Sequence, residues 1–256
     1  MRVIHLIGGG DTGGAKTHVL NLLKELNQFI DAQLFCFRKG DFSEDAAKMG
    51  IPIEVIESGN PVVGLRELKK RLQGQKIDII HCHGARGNLM GNLIKRYLGA
   101  PVVTTVHSDY RLDYLGRPVA RLSYGTTNMV ALRRVNFYIG VSDPMTDVLI
   151  ERGFPADRIY TIYNGIDFKT PIHPVPKEEF LKSVGMKWEP DDVIAGIAVR
   201  LSPVKDVPTL LRAMKIACEK NSHLKLLIGG DGEGRQKLEA MTQELGLSDR
   251  VCFAGW

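Results

Sequence analysis

RVIHLIGGGDTGGAKTHVLNLLKEL, residues 2–26, decides the fold. It opens on Arg2–Ile7, a run of aliphatic and β-branched side chains, and passes straight into glycines. From Ala15 to Asn27 the period changes. Val19, Leu22, Leu23 and Leu26 recur every three or four residues, as on a helix with one buried face. A buried strand, a glycine turn and an amphipathic helix, in that order, open a parallel βαβ unit.

The same alternation continues outward. Strands are expected at 32–37, 53–56, 77–81, 102–106, 136–141 and 158–163, with helices at 63–72, 87–98, 118–134 and 144–152. Such a series predicts a parallel sheet covered on both faces, with right-handed crossovers. The texture changes at Asn164, where Pro171, Pro174 and Pro176 follow within a few residues and favour an extended connection. Alternation then restarts with strands at 193–199, 224–228 and 251–253 and helices at 207–218 and 235–245. The expected organisation is a first domain over 1–168, a linker over 169–190 and a partial second domain over 191–256. The last strand would leave an apolar edge, so the chain is expected to stop inside its second domain.

Composition narrows the class. The 256 residues are 44% hydrophobic and 25% charged, as in ordinary globular proteins. No apolar run approaches the roughly 20 residues of a membrane span, and the N-terminal run is too short for a signal peptide. Cys36, Cys82, Cys218 and Cys252 are scattered, which argues against a disulfide framework or a zinc motif and for a reducing, cytoplasmic setting. Residues 59–158 carry 15 Lys/Arg against 8 Asp/Glu, an excess that suits an anionic substrate, anionic lipid headgroups or a plain solvated surface. No nucleic-acid motif accompanies it, so nucleic acid is not an expected partner.

The glycine turn admits three readings. Gly8, Gly10 and Gly13 spell GxGxxG, but the second strand ends in Arg38 and Lys39 rather than an acid, which leaves an NADP reading and weakens an NAD one. Gly9, Gly14, Lys16 and Thr17 approach a P-loop, but Ala15 separates Gly14 from Lys16 and turns the helix face by about 100°. The third reading is backbone approach to an anion at a helix N-terminus.

Further motifs fall at strand ends, where open α/β sheets bind ligands. His81 and His83 project to one side of an extended segment and could hold a metal, but no third ligand stands near them in sequence; a polar lining of the site and a structural role are the other readings. His107 follows Val102–Val106 and suits a hydrogen bond to substrate. Ser142 before Asp143-Pro144 reads as a helix cap. Arg200 and Lys205 lie between a strand and a helix N-terminus, where cations are unfavourable unless an anion joins them. Gly229, Gly230, Gly232 and Gly234 make a second open turn.

Taken in order, GGGDTGGAKTHVLNL, HCHG, VVTTVHS, VSDPM, YNGID, VRLSPVKDVPTLLRAM, LLIGGDGEG and VCFAGW resemble glycosyltransferase family 4 over essentially the whole chain. The resemblance implies a GT-B-like α/β fold of two Rossmann-like domains facing across a cleft, the second incomplete here. It implies a retaining glycosyltransferase with a UDP- or GDP-sugar donor, a hydroxyl acceptor and neither cofactor nor metal. Arg200 and Lys205 match the family's diphosphate-binding pair, and Gly13, Gly14 and Gly230 its donor-side glycines. His107 matches the catalytic-site histidine that contacts the transferred sugar, with His83 and Lys16 on the acceptor side. Asn164–Asp167 matches the family's segment at the domain junction. The acceptor would be lipid-linked or part of a cell-surface polysaccharide, with peripheral contact to an anionic inner-membrane face. Lys16, Val199 and Asp206 depart from the family pattern, which favours an acid at the first and glycine at the other two. The family's later pair of glutamates and its returning helix are absent from these 256 residues. A sugar-nucleotide epimerase of the same fold, an NADP-dependent reductase and a non-catalytic sugar-nucleotide binder remain alternatives.

Overall fold

A computed structural model describes residues 1–10, 13–113, 125–166, 171 and 173–256. The chain forms two units, Met1–Asp167 and Phe168–Trp256.

The first unit holds seven strands: β1 (Arg2–Ile7), β2 (Asp31–Cys36), β3 (Ile53–Val55), β4 (Ile79–His83), β5 (Val102–Val106), β6 (Phe137–Gly140) and β7 (Ile159–Thr161). They pair in parallel in the order β3-β2-β1-β4-β5-β6-β7, so the most buried strands, β1, β4 and β5, lie centrally and the order of strands reverses between β1 and β4. Helices α1 (Gly14–Leu26), α2 (Asp41–Lys48), α3 (Pro61–Arg71), α4 (Gly84–Leu98), α5 (Thr126–Leu132) and α6 (Asp143–Glu151) connect them. Of the helix expected over 118–134, residues 118–124 lie outside the described residues.

Alternate residues of each strand serve opposite faces. Ile4, Leu6, Ile80, Cys82 and Val102 pack with Leu68, Met90 and Ile94 of α3 and α4. Ile7, Leu34 and Cys36 pack with Val19, Leu20 and Leu23 of α1 on the other face. Helix α4 comes very close to the sheet: a Cβ on Gly87 would stand 2.2 Å from the Leu6 carbonyl oxygen. Ser142 caps α6 by accepting from the Met145 N–H at 3.3 Å, the structural role expected of it.

The second unit is a three-stranded parallel sheet in the order β10-β9-β8. Its strands are β8 (Val193–Ala198), β9 (Leu224–Gly229) and β10 (Val251–Gly255), and its helices α7 (Lys177–Ser183), α8 (Val207–Lys220) and α9 (Arg235–Glu244). Leu201, Val207, Leu211, Leu226, Ile228 and Leu238 form its core. The stretch read as a linker, 169–190, supplies α7, whose Leu181 is buried. It also supplies the Lys187 carbonyl, which accepts from buried Lys225 at 2.7 Å. Lys225 also pairs with Asp192 at 2.7 Å, so the charge that β9 takes inside is matched. All four cysteines are free.

Candidate functional site

In the first unit the site grows from an interruption in the apolar pattern. On the α1 face of the sheet, β1 presents His5 and then Ile7, and β4 presents His81 and His83. Register sets His5 beside His81 and Ile7 beside His83, while Thr105 of β5 lies beside His83. Three imidazoles therefore gather at the centre of the sheet. His5 and His83 are essentially fully buried, and His81 is 8% exposed. His5 Nδ1 lies 3.1 Å from His83 Nε2, and His81 Nε2 lies 2.8 Å from the Thr105 hydroxyl. The His81 and His83 rings stack at 4.4 Å between centroids.

Two more imidazoles extend the group toward the strand ends. His18, one turn into α1 from the glycine loop, lies edge-on to His107 at 5.0 Å. His107 in turn lies 6.1 Å from His83. Both are half-buried. His5 Nε2, His18 Nε2, His83 Nδ1 and His107 Nε2 are buried with no hydrogen-bond partner among the described residues.

Burial controls the charge of these rings. It lowers the His5 pKa to about 3, aided by repulsion from His18. It lowers His107 to about 4, again with His18 contributing. His81 and His83 fall well below the usual histidine value, first through burial and then through the neighbouring rings. All four are neutral imidazoles at pH 7, each with one nitrogen able to donate and one able to accept or to ligate.

The glycine loop meets this group through α1. Gly13 caps α1 with φ of +64°, and both Gly13 and Gly14 are exposed, with open space where a side chain would project. Asp11 and Thr12 lie outside the described residues. Lys16 does not stand free: its ammonium pairs with Asp45 of α2 at 2.6 Å and donates to the Asp41 carbonyl at 3.3 Å. Arg38, the residue behind the NADP reading, folds over the loop, with its guanidinium 3.4 Å from where a Gly10 Cβ would lie.

In the second unit, Arg200 and Lys205 occupy the turn between β8 and α8 and are both exposed. No described residue forms an ion pair or hydrogen bond with either cationic head. The turn is braced from below. Val199 N–H donates to Gly229 O at 2.9 Å, Leu201 N–H to Asp231 O at 3.0 Å, and Gly234 N–H to Leu201 O at 3.0 Å. The glycines of the 229–234 turn permit this: a Cβ on Gly230 would stand 1.9 Å from Val199 O, and one on Gly232 would stand 2.6 Å from Leu201 O. Asp206, the cap of α8, has φ of +44° and is the one non-glycine residue with positive φ among the described residues. That explains physically why glycine suits the position after Lys205.

The sequence singles out His81, His83, His107, Arg200, Lys205 and the glycine turns, but gives no weight to His5 and His18. His5 looks like a polar intruder in an apolar strand, and only the adjacency of β1 and β4 gives it company. A signal for His18 was present: it follows Gly14 by four residues and so sits one helical turn from the loop.

Residues 12–170 match the family model described as Glycosyltransferase Family 4. Residues 183–256 match the one described as Glycosyl transferases group 1. An uncharacterized glycosyltransferase of Methanocaldococcus jannaschii is 28% identical over 190 residues, 71% of this chain and 47% of that protein. The UDP-Gal:alpha-D-GlcNAc-diphosphoundecaprenol alpha-1,3-galactosyltransferase of Escherichia coli is 25% identical over 244 residues, 90% of this chain and 62% of that protein. The chain thus spans about half to two thirds of the length of these curated relatives. The crystal structure of Anabaena HepE in complex with UDP-glucose shares the fold, with a TM-score of 0.77 and 20% identity over 100% of this chain and 69% of that one.

Proposed function

The chain belongs to glycosyltransferase family 4, and on that premise we propose that it serves transfer of a sugar from a uridine diphosphate donor to a hydroxyl acceptor, with retention at the anomeric carbon. The observation that carries the reading is Arg200 and Lys205, unpaired among the described residues, at the β8–α8 turn, which backbone bonds to the 229–234 turn hold in place. Arginine takes phosphate oxygens in a fork and lysine acts as a point charge, so the pair suits a leaving diphosphate. Charge that develops on that group during bond cleavage is stabilised by donors already in position. Gly230 lets its turn brace the one that carries them, and Gly13 and Gly14 leave backbone N–H groups open at the α1 N-terminus. His107 orients the transferred sugar as a neutral hydrogen-bonding group, and His83 lies deeper on the acceptor side. Lys16, on the acceptor side, is tied to Asp45 at 2.6 Å, which sets its position beside the loop.

UDP is favoured over GDP because Anabaena HepE was crystallised with UDP-glucose. A lipid-linked acceptor is supported by the E. coli relative, whose name specifies a diphosphoundecaprenol substrate. Exposed Arg66 and Lys70 on α3 would favour an anionic membrane face; no helix among the described residues is long and apolar enough to cross one.

The test is calorimetric titration of UDP into the chain and its variants. Arg200→Ala and Lys205→Ala each remove a charge-assisted contact of about 1.5–3 kcal/mol, so affinity should fall by about 10- to 100-fold in each. Unchanged affinity in both variants would remove the diphosphate assignment. GDP binding as tight as UDP would remove the choice of base.

A further inference from the structure

We propose that His5, His81 and His83 form a binding site for one divalent transition-metal ion, of which zinc(II) is the type, at the centre of the first unit's sheet. One ring nitrogen from each lies within 4.8 Å of the others, and all three residues are buried. The site is independent of the donor assignment and uses no residue of the second unit.

The three rings are already gathered, and they must turn to converge on one ion, because His81 and His83 stack and His5 and His83 lie nearly parallel. Zinc–imidazole bonds of about 2.0–2.1 Å in a tetrahedral arrangement put neighbouring nitrogens about 3.4 Å apart. His5 Nδ1 and His83 Nε2 already stand 3.1 Å apart. The rings project from β1 and β4, adjacent central strands in fixed register, so the ligands are held together before any ion arrives. Thr105, at 2.8 Å from His81 Nε2, fixes that ring and leaves its other nitrogen for the metal, the usual outer-sphere arrangement for a ligating histidine. All three rings are neutral at pH 7, the form in which imidazole ligates.

His5 Nε2 and His83 Nδ1 are buried without a partner among the described residues, so the direct bond between the two rings does not use up their hydrogen-bonding capacity. Imidazole ligands select zinc, cobalt, nickel or copper over magnesium and calcium, which require oxygen. The group contains no carboxylate, so the bound ion keeps its full charge and leaves a fourth position for water or an anion. His18 and His107, at 6.4 and 6.1 Å between ring centroids from His83, flank the group beyond that ring.

The experiment begins with the chelator-stripped 256-residue chain and cobalt(II) as an optical probe. A visible band of four- or five-coordinate cobalt should saturate at one equivalent per chain, be displaced by zinc, and be untouched by magnesium or calcium. His5→Gln should weaken binding by at least roughly 100-fold, and Thr105→Val, which removes only the outer-sphere bond, by about 10- to 100-fold. His223→Gln, at an exposed position in the second unit, should change nothing. No saturable band, or a band that survives His5→Gln at full strength, overturns the proposal. Should His5→Gln fail to fold, a zinc-soaked crystal of the unaltered chain decides: an anomalous peak among the three rings supports the site, and none there refutes it.

Discussion

Gly230→Ala tests whether the two turns of the second unit brace one another. The added Cβ would lie 1.9 Å from Val199 O, about 1.5 Å short of ordinary van der Waals contact, and Gly230 has φ of +119°. Neither side yields easily. Gly230 N–H donates to Gly255 O at 2.6 Å, and Val199 N–H donates to Gly229 O. Overpacking costs about 1–3 kcal/mol and the backbone region about 1–3 kcal/mol more, so a loss of about 2–6 kcal/mol is expected. Gly246→Ala is the control: its φ is +71°, but nothing lies within 4 Å of the added carbon, so only the backbone cost applies. Both tryptophans, Trp188 and Trp256, belong to this unit, so fluorescence during urea unfolding reports on it directly. With a urea slope of roughly 1–3 kcal/mol per molar, the Gly230→Ala midpoint should fall by about 2 M and the control by about half as much. Because Arg200 follows Val199, UDP affinity should also fall in Gly230→Ala, by about the tenfold that one misplaced charge-assisted bond represents. Equal midpoints for the two variants, with UDP binding intact in both, would refute the bracing.

Asp206→Gly should act in the opposite direction: removing a side chain from a left-handed backbone stabilises the unit by up to about 1 kcal/mol, and removing a carboxylate beside Lys205 should tighten UDP binding, both read in the same two assays. Asp109→Asn should flatten the acid limb of the first unit's stability profile. Burial alone would raise the Asp109 carboxyl, but Arg152 at 2.6 Å and the Arg111 N–H at 3.1 Å outweigh it and hold it below the usual carboxylate range. A lowered carboxylate pKa stabilises the fold above about pH 4 and loses that contribution as pH falls through the folded value. Wild type should therefore lose more melting temperature than Asp109→Asn between pH 6 and pH 3; parallel losses would show that the Arg152 pair carries no linkage.

The alternation of strand and helix was legible because β1, β4, β5, β8 and β9 are short apolar runs bounded by turn residues, and periodicity reports such runs well. Two things were not. Residues 177–187 follow closely on the prolines that suggested a linker, and only packing of Leu181 and the bond from Lys225 show that they join the second unit. The histidine group was half legible. HCH displayed two rings on one side of a strand, but His5 is 76 residues from His81 and joins it only because the sheet order sets β1 beside β4. Long-range register of that kind leaves no local mark, since a polar residue in a strand reads the same whether its neighbours are aliphatic or imidazole. The glycines were visible as turns, but their purpose was not. Gly230 is needed because Val199 O lies above it, and that contact is made across the sheet.

The two units handle polar chemistry by opposite electrostatic means, and this fixes which residues can do what. In the second, Arg200 and Lys205 are exposed cations on a braced turn, so their charge is available to an anion from solvent. In the first, burial strips the imidazoles of charge: with a pKa of about 4, His107 carries almost no positive charge at pH 7. A neutral ring cannot stabilise a departing diphosphate, but it can donate one hydrogen bond to a sugar hydroxyl and accept another, because its two nitrogens differ. Under the proposed transfer, charge stabilisation is the role for the guanidinium and ammonium, and orientation the role for the imidazole. On that proposal a protonated His107 would add a competing anion site beside a neutral sugar. Burial of the ring prevents this, with His18 adding to the penalty for charging it.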